Sequence, residues 1–290
     1  MCDDFTLEAD LKAEKVALSR RKFGMMGGAA VVSAGVAPSV LAKGGMALKE
    51  SMVEVPTPAG ICDAFFVHPA KGKHPGIIFW PDIGGLREAK MQMARRLAAQ
   101  GYAVLAVNQY YRGAKAPVLA SFAEWRTPEG QAKLKPLIAT VTPEGVSLDS
   151  KVFVAWLDRN AAVDRKRGIG SEGYCMGGPF TVRTAAANPG RVRAAASFHG
   201  GGLVGDKPDS PSKLLAKTKA SYLFAIAKND DARAPKDKDA LKEAAAKAGR
   251  PAEIEVYAGD HGWTVPDSPV YNKAEADRAF ARLLALYKKL

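Results

Sequence analysis

The feature that most restricts the fold of this chain is an alternation of short apolar runs with longer amphipathic stretches. Residues 76–80, 102–107, a short stretch near Gly168, 192–198, 222–227 and 254–257 read as strands. Between them, residues 87–100, 150–160, 176–188 and 236–248 read as helices; in the first, Met91, Ala94, Leu97 and Ala98 recur three and four apart. Near the C-terminus, Ala276, Phe280, Leu283, Leu284 and Tyr287 form one apolar stripe. Strands joined through helices must cross over and run parallel, and parallel strands are buried on both faces. The pattern therefore predicts an α/β fold with a mostly parallel sheet and helices on both faces. Ahead of it, residues 52–55 and 61–67 flank Pro56, Pro58 and Gly60, which predicts a short antiparallel N-terminal hairpin at the sheet edge. Residues 116–148 contain Pro128, Pro136 and Pro143 and no strand pattern. No repeat or linker interrupts residues 46–290, so a single domain is expected there despite the length of 290 residues.

Residues 1–45 read separately. Ser19, Arg20, Arg21, Lys22 and Phe23 precede a stretch, 24–41, that is small or apolar except for Ser33 and Ser39. Val40, Leu41 and Ala42 offer a processing site. This segment resembles a twin-arginine export signal, which implies export machinery as a partner of the precursor and a periplasmic or secreted mature protein. No later stretch has the ~20 apolar residues of a membrane span.

Lysine and arginine exceed aspartate and glutamate by 42 to 30, a net charge of +12. The lysines are spread along helical stretches rather than gathered beside aromatics, which argues against a nucleic-acid groove and fits at most an attraction for small anions. Three cysteines are too few for a disulfide framework. Cys2 would leave with the signal, so Cys62 and Cys175 remain, and their contexts are unrelated. His68, His74 and His199 are scattered and no metal-site spacing occurs, so neither a metal nor another cofactor is expected.

The most informative stretch is Gly173-Tyr174-Cys175-Met176-Gly177-Gly178, between a short strand and a small-residue helix. Glycines on both sides of a central nucleophile allow a sharp bend that exposes its side chain above the sheet and points the following N–H groups at the same space. Asp230 or Asp231, then His261, follow in nucleophile, acid, histidine order, each after a predicted strand. In a parallel sheet these strand exits meet over one crevice. A neutral thiol is a weak nucleophile and a histidine-paired thiolate a strong one, so such a trio has a chemical rationale.

With these residues in view, the mature chain resembles the dienelactone hydrolase family of α/β-hydrolases. The markers are the Cys175 turn, Ala227-Lys228-Asn229-Asp230 and Asp260-His261-Gly262. The resemblance implies cofactor-free hydrolysis of a small ester or lactone, with Cys175 as nucleophile, His261 as base and Asp230, preferred over Asp231, as the acid. It implies that the backbone N–H groups of Met176 and Ile83 bind the oxyanion. It places Asp82 where the family has a carboxylate that meets the resting cysteine, with Glu172 as a second carboxylate nearby. Arg112 matches an arginine that family members turn toward a substrate carboxylate; the family's second arginine has no match among Gly262, Trp263, Thr264 and Val265. Trp263, Tyr110, Tyr111 and Trp125 are candidates for an aromatic substrate wall, and His199, at another strand exit, is a candidate pocket residue. Acyl transfer by the same trio and non-catalytic binding of a small molecule remain open alternatives.

Overall fold

The structure is a computed structural model that describes residues 46–290. The expected export segment, residues 1–45, lies outside the described residues. Eight strands form one sheet: β1 (Leu48–Thr57), β2 (Gly60–Pro69), β3 (Gly76–Trp80), β4 (Ala103–Val107), β5 (Ile169–Tyr174), β6 (Val192–Phe198), β7 (Ser221–Ala227) and β8 (Ala252–Tyr257). Their spatial order is β1-β2-β4-β3-β5-β6-β7-β8. β1 and β2 pair antiparallel, as does β2 with β4, and all remaining pairs are parallel. This is the mostly parallel sheet with an N-terminal antiparallel hairpin expected of an α/β-hydrolase fold.

The helices are α1 (Glu88–Ala98), α2 (Phe122–Trp125), α3 (Pro128–Ile138), α4 (Pro143–Arg159), α5 (Gly178–Ala187), α6 (Pro211–Leu214), α7 (Lys228–Arg233), α8 (Asp237–Lys247) and α9 (Lys273–Tyr287). On one face of the sheet, Val146, Phe153 and Leu157 of α4, Val182 of α5 and Leu241 of α8 join a core with Ile78, Leu105 and Phe224. On the other, Ala94, Leu97 and Ala98 of α1 and Ala279 and Leu283 of α9 pack with Ile77, Val104 and Leu223. All residues of β3, β4 and β5 are buried, because the central strands are covered on both sides.

Two differences from the sequence reading have local causes. Helix α4 begins at Pro143, seven positions before residue 150, and α3 begins at Pro128. Both prolines occupy a first helical position, where the missing N–H costs nothing, and Thr142 and Thr127 cap the ends by accepting from Gly145 and Gly130. The stretch read as a strand exit after residue 227 is itself a short helix, α7, which carries both Asp230 and Asp231 in its first turn.

Candidate active site

Cys175 stands where β5 ends and a turn of 3₁₀ helix leads into α5. Its φ is +53°, in the left-handed region that a side chain occupies at a cost of ~1–2 kcal/mol. The two glycines are required by close approach. A Cβ on Gly173 would run into the carbonyl oxygen of Gly177, and one on Gly177 would lie 2.5 Å from the carbonyl oxygen of Pro81. The bend therefore forms only when both positions lack side chains, and it leaves the cysteine at the C-terminal edge of the sheet with the start of α5 behind it.

His261 arrives on the loop after β8. Its backbone N–H donates to Asn229 Oδ1 at 2.8 Å, and its Nδ1 is 2.7 Å from Asp230 Oδ2. Asp231 instead binds Lys238, with 2.8 and 2.9 Å contacts. The geometry thus separates the neighbouring aspartates: Asp230 faces the imidazole and Asp231 anchors the start of α8. Nε2 of His261 is buried and has no hydrogen-bonding oxygen or nitrogen. Burial alone would push the imidazole's pKa down, but the charge of and hydrogen bond with Cys175, together with Asp230, lift it well above the ordinary histidine value. A protonated imidazole beside Cys175 and Asp230 is what this shift favours.

The loop opposite Cys175 is braced from behind. Gln109 donates from Nε2 to the Asp82 carbonyl at 2.7 Å, and Tyr110 donates from its hydroxyl to the Ile83 carbonyl at 2.7 Å. In a trans peptide the Asp82 carbonyl and the Ile83 N–H point in opposite directions, so Gln109 fixes where the Ile83 N–H points. The Tyr110 hydroxyl also lies 3.7 Å from Met176 Sδ. Tyr110 is fully buried. It supports the loop rather than forming an open aromatic wall.

Several residues singled out in the sequence take other positions. Both Asp82 oxygens are engaged by cations: Oδ1 by Arg87 at 2.7 Å and Oδ2 by Lys90 at 2.6 Å. Oδ1 also accepts from the Gly84 N–H. Burial would raise the Asp82 pKa, but Arg87 and Lys90 overcome that and hold it well below the usual carboxylate range. Asp82 is therefore the anion of an ion cluster with Arg87 and Lys90. Arg112 spends its fork on Asp149, with Nη1 and Nη2 contacts of 2.8 and 2.9 Å, and Asp149 also accepts from the Tyr111 hydroxyl. It does not present a free guanidinium to a substrate carboxylate. Trp263 has no solvent exposure, stacks on Tyr257 and meets His199 edge to face, and Trp125 packs against the cluster of Tyr110, Leu119 and Leu134.

His199 does lie beside the trio. Its ring centre is 4.9 Å from that of His261, edge to face, and its Nε2 is 3.0 Å from Thr264 Oγ1. Its φ is +41°. Burial, and then the positive charges of His261 and Lys90, push its pKa well below the ordinary value, so it is a neutral imidazole against a charged one. Glu172 is buried on β5 and points to the α1–α9 face, where the Tyr174 and Tyr287 hydroxyls lie 3.5 and 3.4 Å away. Desolvation pushes its pKa up to about 8.

Residues that sequence reasoning missed are Arg87, Lys90, Gln109, Asn229, Asp267 and Thr264. Arg87 reaches Asp82 and, with 2.8 Å contacts, both oxygens of Asp267. A lysine and an arginine at the start of an amphipathic helix read as solvent-facing, and only the tertiary structure reveals that both are buried. Cys62 and Cys175 are both free thiols, which removes the option of a disulfide between them. Among the described residues, no group of three or more His, Cys, Asp and Glu could hold a metal ion.

The profile of the Dienelactone hydrolase family matches residues 62–290. The chain belongs to that family. A provisionally named carboxymethylenebutenolidase of Methylorubrum extorquens is 29% identical over 288 residues, 95% of either chain. The carboxymethylenebutenolidase of Rhodococcus opacus is 26% identical over 226 residues, 75% of this chain and 82% of that one. Among solved structures, a provisionally named dienelactone hydrolase of Klebsiella pneumoniae superposes with a TM-score of 0.72 at 24% identity, over 84% of this chain and all of the other. The chain is thus a hydrolase of the dienelactone hydrolase superfamily, with the buried Cys175 at the turn that follows β5. No helix among the described residues is long and apolar enough to cross a membrane.

Proposed function

We propose that the protein hydrolyses small esters or lactones through a cysteine thioester, without a cofactor. The observation that carries this reading is the placement of His261 between Asp230 and Cys175, with Cys175 on a strained turn at the sheet edge. The thiolate attacks the carbonyl carbon, forming a C–S bond and an oxyanion that the Met176 and Ile83 N–H groups accept. The C–O bond to the alcohol then breaks, and the His261 imidazolium gives its proton to the departing oxygen. The now neutral His261 takes a proton from water as that water attacks the thioester. The C–S bond breaks, and the acid leaves behind a thiolate and an imidazolium. Asp230 holds the ring orientation throughout.

Arg112 is committed to Asp149, so selection of anionic substrates would rest on the overall charge of +12 rather than on that side chain. The substrate is a small acyl compound, neutral or anionic. The test is Cys175→Ala assayed on nitrophenyl acetate. Turnover is expected to fall by roughly 10³-fold or more with the fold intact. Near-wild-type turnover by the folded variant would overturn the assignment. Acyl transfer to an alcohol or thiol acceptor would appear as an acceptor-dependent product, and simple binding as the absence of any product. Residues 1–45 are proposed to direct export, leaving 46–290 as one catalytic domain in the periplasm or medium. N-terminal sequencing of exported protein tests this, and a retained Met1 would refute cleavage.

A further inference from the structure

A cavity of about 220 Å³ opens between α1 and α9 on the face of the sheet away from α5, and none of the catalytic trio lines it. Its walls are mixed: Tyr174, Phe198, Ala279 and Leu283 supply the apolar part, and Glu172, Thr264 and, from α1, Gln92 and Arg96 the polar part. An apolar cavity of about 150 Å³ is enough to hold benzene, so this one has room for a substituted ring. It differs from an empty packing defect in one respect. Glu172 is a nearly solvent-free carboxyl, 1% exposed, that lines the space, and its two protein partners are distant tyrosine hydroxyls at 3.4 and 3.5 Å. A buried polar group held so weakly has hydrogen-bonding capacity to spare.

We propose that this cavity is a binding site for a small neutral aromatic molecule bearing a hydroxyl group, lying against Leu283 and the edges of the stacked Tyr174 and Phe198 rings with its hydroxyl on the Glu172 carboxyl. The charges around the space select the class. An organic cation would lie near Lys90, whose Nζ sits 4.8 Å from the centre of the Tyr174 ring, and near Arg96. A carboxylate would have to face Glu172 or displace Asp277 from Arg96, which it contacts at 2.7 Å. A neutral hydroxyl meets neither obstacle, and it can both donate to and accept from a protonated carboxyl. Because burial holds Glu172 protonated up to about pH 8, that form prevails at neutral pH. The site shares no residue with the trio and meets the trio's surroundings through Thr264, the partner of His199, so its ligand is not the substrate of the proposed ester or lactone reaction.

The probes are phenol and toluene, which have similar shape and differ in the hydroxyl, titrated calorimetrically into the intact protein at pH 6.5. Phenol is expected to bind saturably and at least tenfold more tightly than toluene. Glu172→Leu is expected to erase that preference, and Ala279→Leu, which fills the cavity from α9, to weaken both probes at least tenfold while leaving nitrophenyl acetate turnover unchanged. Should Ala279→Leu fail to fold, wild-type protein labelled at methionine methyls supplies the location: Met93, which lines the cavity, should shift with phenol. No saturable phenol binding would overturn the proposal. So would equal affinity for phenol and toluene, a preference that survives Glu172→Leu, or competition with the ester that persists in Ala279→Leu. An unshifted Met93 methyl at saturating phenol would equally refute it.

Discussion

Glu172→Gln isolates the energetic consequence of placing a carboxyl in the middle of β5. Glu172 is 1% exposed, and its pKa rises from 4.5 to about 8 because desolvation outweighs the two tyrosine hydroxyls and Lys90. An acid whose pKa is raised on folding binds more protons folded than unfolded, so stability falls as pH climbs from the unfolded value to the folded one. Each pH unit between these limits costs about 1.4 kcal/mol, and the loss accumulated between pH 5 and pH 8 is roughly 3–4 kcal/mol. Glutamine reproduces the shape and the neutral hydrogen-bonding capacity of the protonated acid but has no proton to lose. The variant should therefore match wild type within about 1 kcal/mol at pH 5 and exceed it by roughly 3–4 kcal/mol at pH 8. Urea unfolding of both proteins at the two pH values measures this, provided the denaturant slopes agree. A stability difference that does not change with pH would refute the reasoning, since it would mean that Glu172 keeps an ordinary pKa in the folded protein.

Asp230→Asn should lower kcat/KM by about 10²–10⁴-fold and move the alkaline limb of its pH profile to lower pH, because the imidazolium loses a supporting anion. Asp231→Asn, which loses only the Lys238 contact, should leave both nearly unchanged; equal effects in steady-state kinetics would undo the choice between them. Arg112→Ala should destabilise the fold by roughly 1–3 kcal/mol through the stranded Asp149, with the guanidinium's partial exposure limiting the loss. Its KM for carboxylated and neutral esters should change alike, and a selective rise for the carboxylated ones would return Arg112 to substrate binding. Gln109→Leu frees the Asp82 carbonyl and with it the Ile83 N–H, so kcat should fall by about 10–100-fold with little change in KM, part of the ~3 kcal/mol that a full oxyanion donor supplies. An unaltered kcat would show that the loop holds its shape without that brace.

The sequence made the layers and the glycine-flanked turn at Cys175 legible for identifiable reasons. Buried strands and amphipathic helices leave periodic traces, and the nucleophile turn needs Gly173 and Gly177 at fixed offsets because backbone atoms occupy the space their side chains would fill. Long-range pairing leaves no such trace. Asp230 and Asp231 are adjacent on α7, and only the direction each side chain takes, to His261 or to Lys238, distinguishes them. Arg112 stands where a substrate-binding arginine is expected, yet Asp149, 37 positions away, claims its fork. Asp82 is diverted in the same way by Arg87 and Lys90, both buried. In each case the residue type was read correctly and its partner could not be inferred from spacing.

The diversion of Asp82 has a structural logic of its own. Arg87 and Lys90 stand against Asp82 and Asp267 in a largely buried setting, where burial pulls the Lys90 pKa below the ordinary lysine value. Burying ion pairs gains little net stability, because desolvation consumes most of the attraction, so the effect of such a cluster lies in what it holds in register. Asp82 belongs to the loop that presents the Ile83 N–H. Asp267 lies six positions beyond His261 and also accepts from the Phe122 N–H at 2.9 Å. One guanidinium thus ties the loop facing the sulfur to the loop carrying the imidazole and to the segment that begins α2. An apolar core of equal volume could fill the same space without fixing these three segments relative to one another. The proposed reaction, in which the imidazolium hands its proton to the leaving oxygen as the sulfur holds the acyl group, depends on that fixed geometry, since a misplacement of about 1 Å can cost 10²-fold in rate.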